Sequence, residues 1–220
     1  MIKSEKQFNN LAESDKKLEQ VISDYAANND RMSLIQAKKY LDEILGTPTS
    51  GDQIRVWSEP RFHVSVWKQN IRADGRDFLY HYAGFATSVP GVVIVPINDH
   101  GETLLAWHYR PANHTWSLEL PRGAGEESET PEKTAQRELM EETGLEPHRL
   151  VEIGRIHADG GILQDDVRIV VAYDCVPVSN TVDFELKHPV WCSRNEINRL
   201  RSGGLIDCAL TLSALSLAGF

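Results

Sequence analysis

The stretch from Gly123 to Leu145 constrains this chain more than any other part of it. It reads as a loop, a helix with both ends marked, and a second loop. Thr130 is a good N-cap, and Pro131 suits the first helical position, where a missing N–H costs nothing. Glu132 complements the positive end of the helix dipole. Gly144 can adopt the left-handed conformation that stops a helix. The spacing therefore predicts a helix over 131–143. On that helix Glu138, Glu141 and Glu142 fall at i, i+3 and i+4 and share one face. Ala135 and Leu139 point to a neighbouring face and can anchor the helix to a sheet.

Three carboxylates so close repel one another unless a cation neutralises them. Hard oxygen donors with few neutral partners suit Mg²⁺ or Mn²⁺. Arg137 can hold a glutamate, with Glu129 the candidate, through a two-pronged pair. The glycines at 123 and 125 let the backbone approach a metal or a phosphate closely. The bland alternative is a solvated acidic helix, which is what most glutamate-rich helices are.

This stretch resembles the Nudix box, G-x5-E-x7-R-E-U-x-E-E-x-G-U with U aliphatic. The fixed positions are filled by Gly123, Glu129, Arg137, Glu138, Leu139, Glu141, Glu142, Gly144 and Leu145. The resemblance implies a Nudix fold, an α/β/α sandwich around a mixed sheet. It also implies that Glu138 and Glu142 bind divalent metal, Mg²⁺ or alternatively Mn²⁺, with Glu141 as a further ligand and the carbonyl of Arg122 completing the site.

The flanks are similar to the ADP-ribose and nucleotide-sugar pyrophosphatase group. They comprise His108-Tyr109-Arg110-Pro111, Leu118-Glu119-Leu120-Pro121-Arg122-Gly123, and the tail around Gly204-Leu205-Ile206 and Thr211-Leu212. By that resemblance Arg110 contacts substrate phosphate and Glu119 lies near the metals. Taken as bare residues, Arg110 is a surface arginine at a strand end and Glu119 an exposed strand residue. Two departures stand out. Arg122 occupies a place where alanine is usual, and Gly160-Gly161 lies where ADP-ribose-selective members carry a proline.

The implied reaction is hydrolysis of the pyrophosphate bond in a nucleoside diphosphate linked to another group, releasing a nucleoside monophosphate. Glu185, in a polar loop before an expected Pro189-to-Cys192 strand, is the candidate general base, with Asp165 and Asp166 as rivals. Alternatives are hydrolysis of nucleoside triphosphates or dinucleotides, and a Nudix-fold binding module without turnover. The resemblance also implies a homodimer.

Composition narrows the partners. The 220 residues carry a formal net charge of −9, so bulk nucleic acid is disfavoured and a small anionic substrate must be met by local arginines or by cations. Cys175, Cys192 and Cys208 are far apart and odd in number, which fits neither a zinc ribbon nor a disulfide framework and suits a reduced, cytoplasmic setting. No apolar stretch is long enough to span a bilayer, so no membrane association is expected.

Residues 1–50 stand apart. From Ser4 to about Leu45 there is no glycine or proline, and apolar residues recur at helical spacing, which predicts an N-terminal helical extension ending in the linker at 46–51. Residues 51–220 are then the Nudix domain. Strands are expected at 62–67 and 78–82 around an Asp74-Gly75 turn, and at 92–96, 103–107, 150–156, 166–173 and 189–192. Short helices are expected at 193–201 and 209–217.

Overall fold

The computed structural model describes Gly46 and residues 48–59, 64–85, 89–179 and 186–220, with six isolated helical positions nearer the N-terminus. The helical extension expected between residues 4 and 45 lies otherwise outside the described residues. The chain divides into two compact units. One comprises Met1–Ile54 with Lys68–Tyr80, the other Arg55–Trp67 with His81–Phe220.

In the first unit, β1 (Thr49–Ser50) pairs antiparallel with the distal half of β3 (Val64–Ala73), Ser50 opposite Ile71. The expected turn follows, with Asp74 at φ 51° and Gly75 at φ 72° leading into β4 (Arg76–Phe85). Two consecutive left-handed residues match the right-handed twist of a hairpin. Both strands are longer than their expected cores.

The second unit carries the chemistry. It also holds most of β2 (Ile54–Glu59), a strand that the sequence did not announce. At its centre is a mixed sheet in the order β10-β12-β5-β8, formed by Arg149–Ile156, Val167–Tyr173, Gly91–Pro96 and Arg122–Gly123. β12 runs parallel to β5, with Val170 opposite Ile94, and the outer pairs are antiparallel. The unbroken Val-Val-Ile-Val run of β5 is the pattern of a strand covered on both faces, and residues 92–95 are all buried.

Helix α1 (Pro131–Thr143) covers one face of this sheet. Ala135 and Leu139 are fully buried there against Val92, Ile94, Val170 and Ala172. The opposite face packs Val93, Val95, Ile169 and Val171 against α2 (Arg194–Ser202) and α3 (Ala209–Leu217) through Ile197, Ala214 and Leu215. The expected helix–sheet–helix layering is present. Burial of Leu139 alone contributes about 1.5–3 kcal/mol.

A second sheet, β14-β6-β7, is built from Leu186–Cys192, Thr103–Arg110 and Thr115–Glu119. β7 was not foreseen. β14 begins at Leu186, ahead of the expected Pro189, and accommodates His188 (φ 47°) in a bulge between Lys187 and Val190. The remaining short strands are β9 (Leu145–Glu146), β11 (Leu163–Gln164) and β13 (Val176–Pro177).

Candidate active site

The site forms where the chain leaves one sheet and enters the other. β7 ends at Glu119, Leu120 and Pro121 cross over, and β8 begins at Arg122. Pro121 fastens the crossing by accepting a hydrogen bond from the Ile94 amide at 2.9 Å. The Leu120 amide donates to Thr211 Oγ1 at 3.2 Å, tying the crossing to α3.

Both ends of α1 match the residues that mark them. Thr130 is extended and its side chain accepts from the Lys133 amide, while Gly144 is left-handed at φ 67°. A side chain at Gly144 would also strike the Ser179 carbonyl. Gly123 makes room of a different kind. A β-carbon there would overlap the Glu138 carboxylate, which lies directly over the glycine.

Arg137 organises the acidic face. Its Nε donates to Glu129 Oε1 and its Nη2 to Glu129 Oε2, both at 3.0 Å, which is the two-pronged pair expected from the sequence. The same guanidinium reaches Glu138 Oε1 at 2.8 Å, Glu141 Oε2 at 3.2 Å and the Ala124 carbonyl at 2.9 Å. Glu129 also accepts from the Thr134 hydroxyl and the Glu126 amide. The Arg137 hydrogen bonds draw the Glu129 carboxyl down to about 2, against the opposing effect of burial. Glu138 moves the other way: burial raises its carboxyl, and the pairing with Arg137 only partly offsets this.

Glu142 is buried at 8% exposure, and its Oε2 accepts from the Arg122 amide at 3.2 Å. Glu141 is about half exposed. Among the described residues, no three acidic, histidine or cysteine side chains already converge as a finished metal cage. Arg137 draws Glu138 and Glu141 to itself. The donor set nevertheless fits a hard divalent cation: two carboxylates one turn apart, a third beside them, and the glycine cradle that lets Glu138 lie against the backbone.

Across the crossing lies a second cluster. Glu119 is only 2% exposed, so it is not the exposed strand residue its bare sequence suggests. Arg110 Nε donates to its Oε1 at 3.0 Å and Arg110 Nη2 to its Oε2, while Arg122 Nε lies 3.4 Å from Oε2. Burial works to raise the Glu119 carboxyl, but the two arginines outweigh it and the net shift is downward. Arg122 is shifted downward as well, by burial first and by the like charge of Arg110, with Glu119 opposing. Arg110 Nη1 meets His108 Nε2 at 3.1 Å. Ser117, one turn of the pleat away, donates to Asp207 Oδ1 at 3.1 Å.

Thr211 lies in the tail that resembles the pyrophosphatase group, whereas Ser117 escaped the sequence reading. The only signal for Ser117 was strand alternation in Thr115–Glu119, which places Ser117 and Glu119 on one face. Asp165 and Asp166, the rival bases, are both committed elsewhere. Asp165 accepts from the Ala158 amide at 2.7 Å and lies against His157, and Asp166 takes two hydrogen bonds from Arg168. Glu185 lies outside the described residues.

The NUDIX domain family matches residues 87–205, and the chain belongs to that family as a Nudix hydrolase. It is 25% identical over 168 residues to the CMP-5′-(N-acetyl-N-hydroxy-3-aminopropyl)phosphonate hydrolase of Streptomyces rubellomurinus, covering 75% of this chain and 80% of that one. It is 30% identical over 104 residues to the ADP-ribose pyrophosphatase of Bacillus subtilis, covering 47% of this chain and 52% of the relative. Among solved structures, that of an ADP compounds hydrolase superposes with a TM-score of 0.67 at 23% identity, covering 79% of this chain and 93% of that chain. Among the described residues no helix is long and apolar enough to cross a membrane.

Proposed function

We propose that this chain hydrolyses the pyrophosphate bond of a nucleoside diphosphate linked to another group, of the ADP-ribose or nucleotide-sugar type, in a Mg²⁺-dependent reaction that releases a nucleoside monophosphate. The observation that carries this is the pairing of two clusters across one short crossing, an acidic helix face suited to cations and a cationic nook suited to phosphate. Similarity to a pyrophosphatase acting on ADP-ribose and to a hydrolase of a CMP-linked phosphonate supports the substrate class.

Glu138 and Glu142, with Glu141 beside them and the Arg122 carbonyl behind, are the residues that would hold Mg²⁺, with Mn²⁺ as a substitute. The bound cation supplies charge withdrawal from phosphorus and acidifies water. Arg137 sets the Glu138 side chain and keeps Glu129 ionised. Arg110 offsets charge on the diphosphate, and Glu119 fixes its orientation. Glu185 is the proposed general base, accepting the proton of the attacking water. Residues 51–220 act as the catalytic domain, residues 1–50 as a helical extension, and the protein works in the cytoplasm as a homodimer.

Product analysis tests the proposal. With Mg²⁺ and a panel of ADP-ribose, nucleotide sugars, dinucleotides and nucleoside triphosphates, a monophosphate should appear from the first two groups. Preferential turnover of triphosphates or dinucleotides would move the activity to the alternative class. No turnover of any compound by the folded protein would leave a binding module.

A further inference from the structure

Arg110 and Arg122 share Glu119 unequally. Arg110 engages it with Nε and Nη2 and places Nη1 on His108, so all three of its nitrogens already hold protein partners. Arg122 commits only its Nε, at 3.4 Å, and its two terminal nitrogens make no hydrogen bond among the described residues. Its side chain is nonetheless mostly enclosed, at 27% exposure.

Charge counting points the same way. Arg137 stands among three carboxylates, and Arg155 and Arg168 stand with Asp166 and Glu152. Around Glu119 two guanidiniums face one carboxylate in a partly desolvated place, and the further carboxylate acting on Arg122 is Glu142, on the acidic side of the crossing. An anion beside the Arg122 guanidinium would offset its repulsion by Arg110. The backbone of the same residue faces the acidic cluster, because the Arg122 amide donates to Glu142. One residue thus presents its main chain to the carboxylates and a half-used guanidinium to the opposite side of the crossing.

We propose that Arg122 is a substrate-binding residue whose terminal nitrogens meet the diphosphate, adding to Arg110 a second guanidinium and favouring the more highly charged ligands. The identity of the anion rests on the pyrophosphatase function proposed above. The planar fork suits two phosphate oxygens, and a lysine would keep the charge without the fork. Alanine at this position would leave the main-chain bond to Glu142 and the Arg110–Glu119 pair in place, so the side chain can be tested alone.

The test is equilibrium binding of ADP in the presence of EDTA, by calorimetry, to wild type, Arg122→Ala and Arg122→Lys, alongside Mn²⁺ titration of each by electron paramagnetic resonance. The alanine variant should bind ADP about tenfold more weakly, the usual scale for one lost charged hydrogen bond, with lysine in between. Mn²⁺ affinity should be unchanged in both. Equal ADP affinity in all three proteins overturns the proposal, as does absence of ADP binding by the wild type. A parallel loss of Mn²⁺ affinity also overturns it, because Arg122 would then be propping the carboxylates. Turnover is not needed for any of these readouts, so failure here is distinct from failure of the hydrolase assignment.

Discussion

The Arg137 cluster and the Glu119 cluster are opposites built from the same parts. In the first, one guanidinium is surrounded by Glu129, Glu138 and Glu141. In the second, one carboxylate is surrounded by Arg110 and Arg122. The two are joined by a crossing only two residues long between β7 and β8. The first carries surplus negative charge and the second surplus positive charge. The two imbalances attract each other across the crossing, Glu142 favouring the charged form of Arg122, and each also offers a place to a ligand of the opposite sign. On the proposed function, cations would sit at the acidic face and phosphate at the basic one.

The sharpest break of the comparison is at Glu142. Glu142→Gln keeps the size of the side chain and removes its charge. It should leave the melting temperature near that of the wild type while lowering kcat by at least about 100-fold, as loss of a directed electrostatic contact commonly does. Near-normal turnover by the folded variant would detach the acidic face from the chemistry.

On the other side of the crossing, Glu119→Gln should cost stability before anything else. It leaves Arg110 and Arg122 facing each other without their shared anion. With the arginines about a quarter exposed, the expected loss is about 2–3 kcal/mol, below the full cost of breaking a wholly buried pair. Urea unfolding measures it directly. Added phosphate should recover part of the loss if the excess charge seeks an anion, and an unaltered midpoint would show that the buried carboxylate is not the keystone of its cluster.

The smallest effect is a pH dependence at Glu129. Its carboxyl is held at about 2 instead of its usual 4.5, chiefly by the Arg137 hydrogen bonds. A depressed carboxyl contributes stability that is fully present above the usual value and is lost as pH falls from there toward about 2. Glu129→Gln should therefore flatten the decline of melting temperature between those pH values. An unchanged slope would mean that other groups govern acid unfolding.

The two clusters also differ in how far they could be read from the sequence. Helix α1 was legible to the residue, because Thr130, Pro131 and Gly144 mark its ends locally and because 3.6-residue periodicity puts Ala135 and Leu139 on one side and the glutamates on another. Its arginine pair was legible too, since Arg137 lies about two turns into the capped helix and Glu129 immediately before its N-cap. The Glu119 cluster was not. Its geometry depends on β7, a five-residue strand in which Leu118 on one face and Ser117 and Glu119 on the other are all buried. Nothing local announces the burial of the two polar residues. It follows from the pairing of Ala106 with Glu119 and Arg110 with Thr115 across the β6–β7 hairpin. Likewise β14 was read three residues short, because the bulge at His188 interrupts the alternation before Val190.

The central claim is that the acidic face of α1 is a seat for divalent cations. Direct titration of the protein with Mn²⁺, followed by electron paramagnetic resonance, tests it without reference to any substrate. Wild type should bind, and a folded Glu138→Gln/Glu142→Gln double variant should bind at least about 100-fold more weakly, as loss of two anionic ligands requires. Equal Mn²⁺ binding by the two proteins would contradict the account.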